Sequence, residues 1–471
     1  MKSAWPFLAS LPFLAGCVHS PATPPTPSNI PLGWEASPPV AAGEITGAWW
    51  KSFADPVLDT LIDDAQRRNV DLRLAAERIL ESRALSRATT AGLFPELSAQ
   101  AGATEARRFS GLNRGDSASV SLGAIWEPDI GGRLSAAVRA ARADVAASAA
   151  DAEAVRLLLL DEVARAYIDY RLQRALVVLT AQTVTAQEDT LRITRDRFEF
   201  GTASDLDVQR AASLVAQTRS QSAVAVEAAD AARFRLAYLL ATTPEDIASR
   251  LAGRDGIPAA DPLHVLLSPT EMLERRPDVR AASARYAAAG AQRDGAAAAR
   301  LPSLTLSGLV GLDANGIGSL LDGGTSIASV AVGLVAPIVD FGRRRANYDA
   351  ADSRLRQSGL EYEQVVRTAL QETQTAIVSY LQGQVREREL ARAAEAARRA
   401  AELSRLQFRE GTLSQLDILD AARTVYQAER DHVQAMADVS SRLVSLYRLM
   451  GIAPEAPMIA SRAEGGNGAL P

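Results

Sequence analysis

Few of the side chains that carry out chemistry are arranged for it in this chain of 471 residues. His19, His264 and His432 are scattered, without the spacing that gathers ligands round a metal. There is no HExxH and no GxSxG. Lysine occurs only at Lys2 and Lys51, and a phosphate-cradling GxxxxGK[ST] needs a lysine after a glycine loop. Lys51 instead follows Trp49-Trp50, so no nucleotide engine of that type is expected. The net charge of −5 is no footprint for nucleic acid. Two features remain. One is Cys17, the only cysteine, which excludes disulfides within the chain. It closes MKSAWPFLASLPFLAGC, a positive charge followed by an apolar run too short to cross a bilayer, with the layout of a secretory signal. The ending Leu14-Ala15-Gly16-Cys17 looks like a bacterial lipoprotein cleavage box, in which the cysteine becomes the new N-terminus and carries the lipid. The other is the carboxylate pair of LSQLDILDA, Asp417 and Asp420.

Long helices must position that pair. From Gly131 to Phe200 apolar residues return at helical spacing, and no proline or glycine interrupts the stretch after Gly132. Val155, Leu159, Val163, Ala166 and Tyr170 share one face. The spacing predicts one helix over about 131–200, about 100 Å long. A second copy is expected over about 342–410. RFEFGTASDLDVQRA and QFREGTLSQLDILDA match at an offset of 210, which also carries Arg133 to Arg343, Tyr170 to Tyr380, Leu236 to Leu446 and Pro244 to Pro454. This is a tandem duplication. The first-repeat counterpart of Asp420 is Arg210.

The chain therefore reads as a signal peptide (1–16), an acylated N-terminus with a proline-rich tether (17–45), a first repeat (46–243), a connector (244–269), a second repeat (270–453) and a disordered tail (454–471). In the first repeat, Asp55-Pro56 begins a helix that is expected to run to about Ala91. Each repeat also holds two segments of strand character, within about 96–127 and 302–337. Val120, Leu122, Ala124 and Trp126 share one face of the second segment. Leu304, Leu306 and Leu309 are grouped near one face of the third. Four strands of about ten residues suit a tilted outer-membrane span but cannot close a barrel alone. Several chains must contribute, and three would give twelve strands.

The sequence resembles the TolC/OprM-like outer-membrane efflux proteins, in their NodT-type lipoprotein branch. The resemblance rests on WWKSFADPVLDTLIDDA (49–65), FPEL (94–97), WEPDIGGR (126–133), FEFGTASDLDV (198–208), LERRPDVRAA (273–282), LPSL (301–304), PIVDFGRRR (337–345) and FREGTLSQLDILDA (408–421). It implies a homotrimer whose 12-stranded β-barrel sits in the outer membrane and whose α-helical barrel projects into the periplasm. It implies a passive duct, without a cofactor or enzymatic activity, that docks onto a periplasmic adaptor and through it onto an inner-membrane RND-type pump. Val18 after Cys17 favours delivery to the outer membrane by the same analogy. Gly201, Thr202, Gly411 and Thr412 fall where the family's helical tips meet the adaptor. Leu416 and Asp420, with Asp417 beside them, match the positions that constrict its periplasmic aperture, and Arg210 could link to Asp420 across the closed mouth. Other readings stay open. The glycines serve as left-handed helix caps in any case, and the acids suit a helix N-terminus. A type I protein-secretion channel and a poreless coiled-coil scaffold are the alternative functions.

Overall fold

The computed structural model describes residues 22–25, 30–36, 47–105, 116–253, 256–259, 266–322 and 325–453. Cys17, the signal segment and the tail from 454 lie outside these. The described chain divides into two compact units.

The first unit takes Thr89–Ala140 and Tyr286–Ser358, with the described part of Met1–Pro25. Its centre is one antiparallel sheet of β1 (Glu96–Thr104), β2 (Ser117–Trp126), β3 (Ser303–Ala314) and β4 (Ser326–Val335), in that order. The register is continuous. Ala99 pairs with Leu122, Leu122 with Val310, and Val310 with Ala328. Side chains alternate with period two along each strand, so the register sorts them into two faces. One face carries Leu97, Ala99, Val120, Leu122, Trp126, Leu304, Leu306, Val310, Val330, Val332 and Leu334. The other carries Ser98, Gln100, Ser121, Ser307 and Ser329, together with Leu309 and Ile327. Leu309 therefore stands opposite Leu304 and Leu306. The unbroken alternation of β3 admits no other parity. Among the described residues the apolar face has no covering layer: Val330, Val332 and Leu334 are 86%, 66% and 66% exposed. β1 and β4 are the sheet's two open edges.

The second unit takes the described parts of Thr26–Ala88, Ala141–Arg285 and Gly359–Pro471. Its core gathers a 3-10 turn (Trp49–Phe53), α1 (Pro56–Arg68) and the central parts of α3 (Arg133–Glu199) and α8 (Arg343–Arg409). The ends of α4 (Asp205–Leu239) and α9 (Gln415–Leu449) complete it, with α5 (Pro244–Leu251) and α6 (Pro269–Arg275). Trp49 stacks on Tyr447 at 5.4 Å between ring centroids. Asp55 caps α1 by accepting from Val57 N and Leu58 N, and accepts a further bond from the buried Tyr167 hydroxyl at 2.9 Å. Burial pushes the Tyr167 phenol up to about 12. The helices α3 and α8 are 67 residues each, about 100 Å of helical rise.

A further local expectation fails. The helix from Pro56 does not run unbroken to Ala91; it stops at Arg68, and α2 (Val70–Ala91) follows. Asn69 breaks it at φ −57°, ψ 135°. Its carboxamide accepts from Leu72 N and donates to Leu239 O of α4, so one side chain caps α2 and ties it to a distant helix end. Asn69→Ala is expected to cost about 1 kcal/mol, read as a lowered thermal midpoint. The stretch expected to be a connector and equatorial region begins with a helix, α5. Thr243 accepts from Asp246 N and Pro244 stands at the first helical position, so the helix starts by ordinary capping. The interruption at Arg276-Pro277 separates α6 from α7 (Pro277–Ala298), and Ser268 with Glu271 forms a capping box at the start of α6.

Candidate functional site

The distal turns belong to the second unit. Each long helix ends on a glycine in the left-handed region, Gly201 at φ +71° and Gly411 at φ +76°. A side chain there would be strained, and the turn needs that conformation to reverse the chain. Thr202 N and its hydroxyl both donate to Arg197 O, at 2.8 and 3.0 Å. Thr412 repeats this on Gln407 O at 2.9 and 3.0 Å. Thr202 and Thr412 thus satisfy carbonyls that would otherwise end the helix unpaired. Ser204 and Ser414 then cap the returning helices.

One aperture candidate takes part in those caps. Asp417 accepts from the Ser414 hydroxyl at 2.5 Å, while its backbone N–H donates back to Ser414 Oγ at 3.3 Å. Asp207 does the same for Ser204, and the Ser204 bonds hold its carboxyl below its ordinary range. Asp417 is therefore a capping residue. Leu416, Asp420 and Arg210 are placed differently. With Leu206, the counterpart of Leu416, they line one groove between α4 and α9, and Leu419 forms part of its wall. Leu206 and Leu416 are 56% and 61% exposed. Asp420 pairs with Arg423 at 2.8 Å. Among the described ion pairs none joins Asp420 to Arg210, so the link expected across the repeats is not made within one chain. The groove offers apolar rims with a carboxylate on one wall and a guanidinium on the other. In a ring of copies, such positions become rings of charge.

Two features of these ends escape a reading of single motifs. Arg197, at the end of α3, lies over the Phe408 ring of α8 at 4.1 Å and donates to Phe408 O. Phe408 is 2% exposed, whereas its first-repeat counterpart Phe198 is 46% exposed. The second feature is a charge swap. Glu188 pairs with Arg219 between α3 and α4, and at the same repeat positions Arg398 pairs with Glu429 between α8 and α9. The 210-residue offset contains this swap: Glu188 maps to Arg398 and Arg219 to Glu429. Each helix is thereby matched to its own hairpin partner, since exchange would set like charges together.

A second cluster lies away from the tips. Arg276, 6% exposed, donates to both carboxylate oxygens of Asp278 at 3.0 and 2.6 Å, to Glu372 at 3.1 Å and to Leu449 O at 3.3 Å. It ties the start of α7 to α8 and to the end of α9. Gly451, just beyond, sits at φ +69° with the Arg275 carbonyl carbon 3.0 Å from where a Cβ would stand. Burial alone would raise the Asp278 carboxyl, but the Arg276 pair outweighs it and holds it below its ordinary value of 3.8. This cluster is a brace, as the Arg276 guanidinium joins α7, α8 and the end of α9. Among the described residues no helix is long and apolar enough to cross a membrane.

Comparison with known proteins gives a consistent result. The family model described as "Outer membrane efflux protein" matches residues 61–242 and 268–452. The toluene efflux pump outer membrane protein TtgF of Pseudomonas putida is 30% identical, over 96% of this chain and 97% of its own. The pyoverdine export outer membrane protein OpmQ of Pseudomonas aeruginosa is 31% identical, over 93% and 94%. Among solved structures, the outer-membrane channel OprN superposes with a TM-score of 0.84 at 29% identity, over 92% of this chain and 99% of its own.

Proposed function

This chain belongs to the outer membrane efflux protein family, and from that membership we propose that three copies close into the exit duct of a tripartite efflux pump. The chain is an outer-membrane efflux component and not an enzyme. The observation that carries the proposal is the sheet. Its uncovered apolar face suits lipid, its opposite face is rich in serine, and its two edges are open. Lipid does not tolerate open strand edges. Three copies of four strands give a barrel of twelve, within the range that outer-membrane barrels adopt. The long helices then supply a periplasmic wall. A poreless scaffold would have no use for the sheet.

The duct is passive and needs no cofactor. Relatives named for toluene and for pyoverdine resemble this chain to nearly the same degree, which suits a conduit whose walls do not select cargo. The partners are a periplasmic adaptor, met at the turns around Gly201, Thr202, Gly411 and Thr412, and an inner-membrane RND-type transporter. Cys17 carries a covalent lipid that anchors the mature N-terminus to the outer membrane. Cys17→Ala should abolish metabolic labelling with fatty acid, and labelling that persists would remove the anchor.

The groove of Leu416, Asp420 and Arg210 becomes the periplasmic mouth when three copies meet. Asp420 and Arg210 then hold the closed state through charge. Asp420→Ala is expected to raise the single-channel conductance of the reconstituted protein. The open-to-closed ratio should rise roughly fivefold for each exposed ion pair of about 1 kcal/mol that is lost, one per chain. Conductance equal to that of the unaltered channel would count against the mouth.

A further inference from the structure

The two repeats enter their long helices by different routes. In the first, Arg133 opens α3 and donates to both carboxylate oxygens of Glu127 at 2.8 Å. The 210-residue offset sets Arg343 in its place at the start of α8, but Glu127 becomes Pro337 and Ser135 becomes Arg345. None of the ion pairs among the described residues involves Arg343. Arg345 reaches Asp349 only at 4.0 Å and stays mostly exposed. Arg344 alone is neutralised internally, by Asp340 and the Ala299 carbonyl. A third outward cation lies beside these. Arg300 is exposed, with its guanidinium 5.8 Å from the ring of Tyr348, one turn along α8. Its first-repeat counterpart is Leu93, since LFPEL (93–97) aligns with RLPSL (300–304). Arg300, Arg343 and Arg345 thus stand where the first repeat has a single arginine, already paired. Helix stability does not account for them. The first turn of α8 holds no acid, and arginines at the positive end of a helix oppose its dipole.

The apolar surroundings narrow what these cations meet. β4 ends at Val335, and the chain leaves it through Ile338 and Phe341, which are 87% and 100% exposed. Phe341 stands at φ +52°, an outlier for so bulky a side chain, where the first repeat has Gly131. The register sets Glu96, Trp126, Ser303 and Val335 toward one end of the sheet, the end from which the helices leave. A tryptophan there suits the level of a membrane interface. We infer that this lip binds the headgroup of an anionic phospholipid in the periplasmic leaflet, with Arg300, Arg343 and Arg345 on the phosphate and Ile338 and Phe341 against the lipid's apolar part. This rests on the outer-membrane duct proposed above. Guanidinium forks take phosphate oxygens in pairs. The apolar face of the sheet adjoins the lip, so acyl chains joined to that phosphate have a surface to lie on. A free phosphate would leave Ile338 and Phe341 in water. In a ring of copies the site recurs once per chain, and the neutralised starts of α3 do not share it.

The test uses the full-length chain reconstituted in vesicles of equal parts phosphatidylethanolamine and phosphatidylglycerol. The protein is extracted in mild detergent, and the phospholipid that stays with it is quantified by mass spectrometry. The unaltered protein should retain phosphatidylglycerol in preference to phosphatidylethanolamine. Arg343→Gln should lower that preference roughly fivefold, the worth of one arginine near an anionic surface, and adding Arg345→Gln should lower it further. Arg392→Gln removes an exposed arginine far along α8 and should leave the preference unchanged. Light scattering of the same samples separates the two levels of the proposal. A trimer that holds both lipids equally, or whose preference ignores Arg343→Gln, would overturn the headgroup site while leaving the duct in place. If Arg343→Gln splits the trimer into single chains, the arginine serves a contact between copies, and the site is likewise overturned. A monomeric unaltered protein would overturn the duct itself.

Discussion

Leu122→Arg is expected to deplete the protein from the outer membrane. Leu122 lies midway along β2 on the uncovered apolar face, between Ala99 and Val310 in the register, and is 48% exposed. If that face meets lipid, an arginine near the bilayer midplane costs about 2–4 kcal/mol in each chain. Every copy in a closed barrel bears the cost, so assembly suffers more than a single chain would. Gln100→Arg is the control. Gln100 pairs with Ser121 one position along, on the opposite face. There an arginine would project into a water-filled lumen, and the membrane content should match that of the unaltered protein. Equal depletion by both substitutions would mean that the sheet is sensitive to charge on either face, which a lipid-facing surface on one side does not predict.

Arg276→Ala is expected to lower stability by about 3 kcal/mol. That is the low end for breaking a buried pair, because Asp278 and Glu372 each keep 42% of their side-chain surface exposed to water. The loss should appear as a clear fall in the thermal midpoint without a change in secondary structure content. Arg276→Lys should recover only part of it, since a single ammonium cannot meet both oxygens of Asp278 and also Glu372. The effect has a pH signature. The folded state holds the Asp278 carboxyl below its ordinary value of 3.8. The pair's contribution is therefore full above that value and fades as pH falls through the depressed folded value. The gap between the unaltered protein and Arg276→Ala should be widest near neutrality and narrow in acid below about pH 4. A gap independent of pH would leave the loss to packing alone.

How much of this was readable in advance varies with how local the cause is. The long helices end where the caps stand, at Gly201 and Gly411, because a left-handed turn is a property of a few consecutive residues. The strands, too, are legible, since alternation has a period of two. Even so, hydrophobicity groups Leu309 with Leu304 and Leu306, against the parity that the pairing enforces. The break at Asn69 is not local, because the group that receives its carboxamide, Leu239 O, is 170 residues away. α5 was within reach, as Thr243, Pro244 and Asp246 spell a helix start. The residues proposed for the mouth are placed differently from one another. Asp417 turned out to be occupied by the Ser414 cap, whereas Leu416, Asp420 and Arg210 do come together on one groove. The Arg197–Phe408 clasp could not be read from the repeat, because the repeat does not preserve it.

The central claim is that three chains close one duct. The measurement that tests it most directly is the mass of the detergent-extracted protein by light scattering, with electron microscopy of the same sample. Three copies around a hollow body longer than about 100 Å, the rise of one long helix, are expected. A single chain, or a solid rod, would contradict it, for the open edges of β1 and β4 would then have nothing to pair with in lipid.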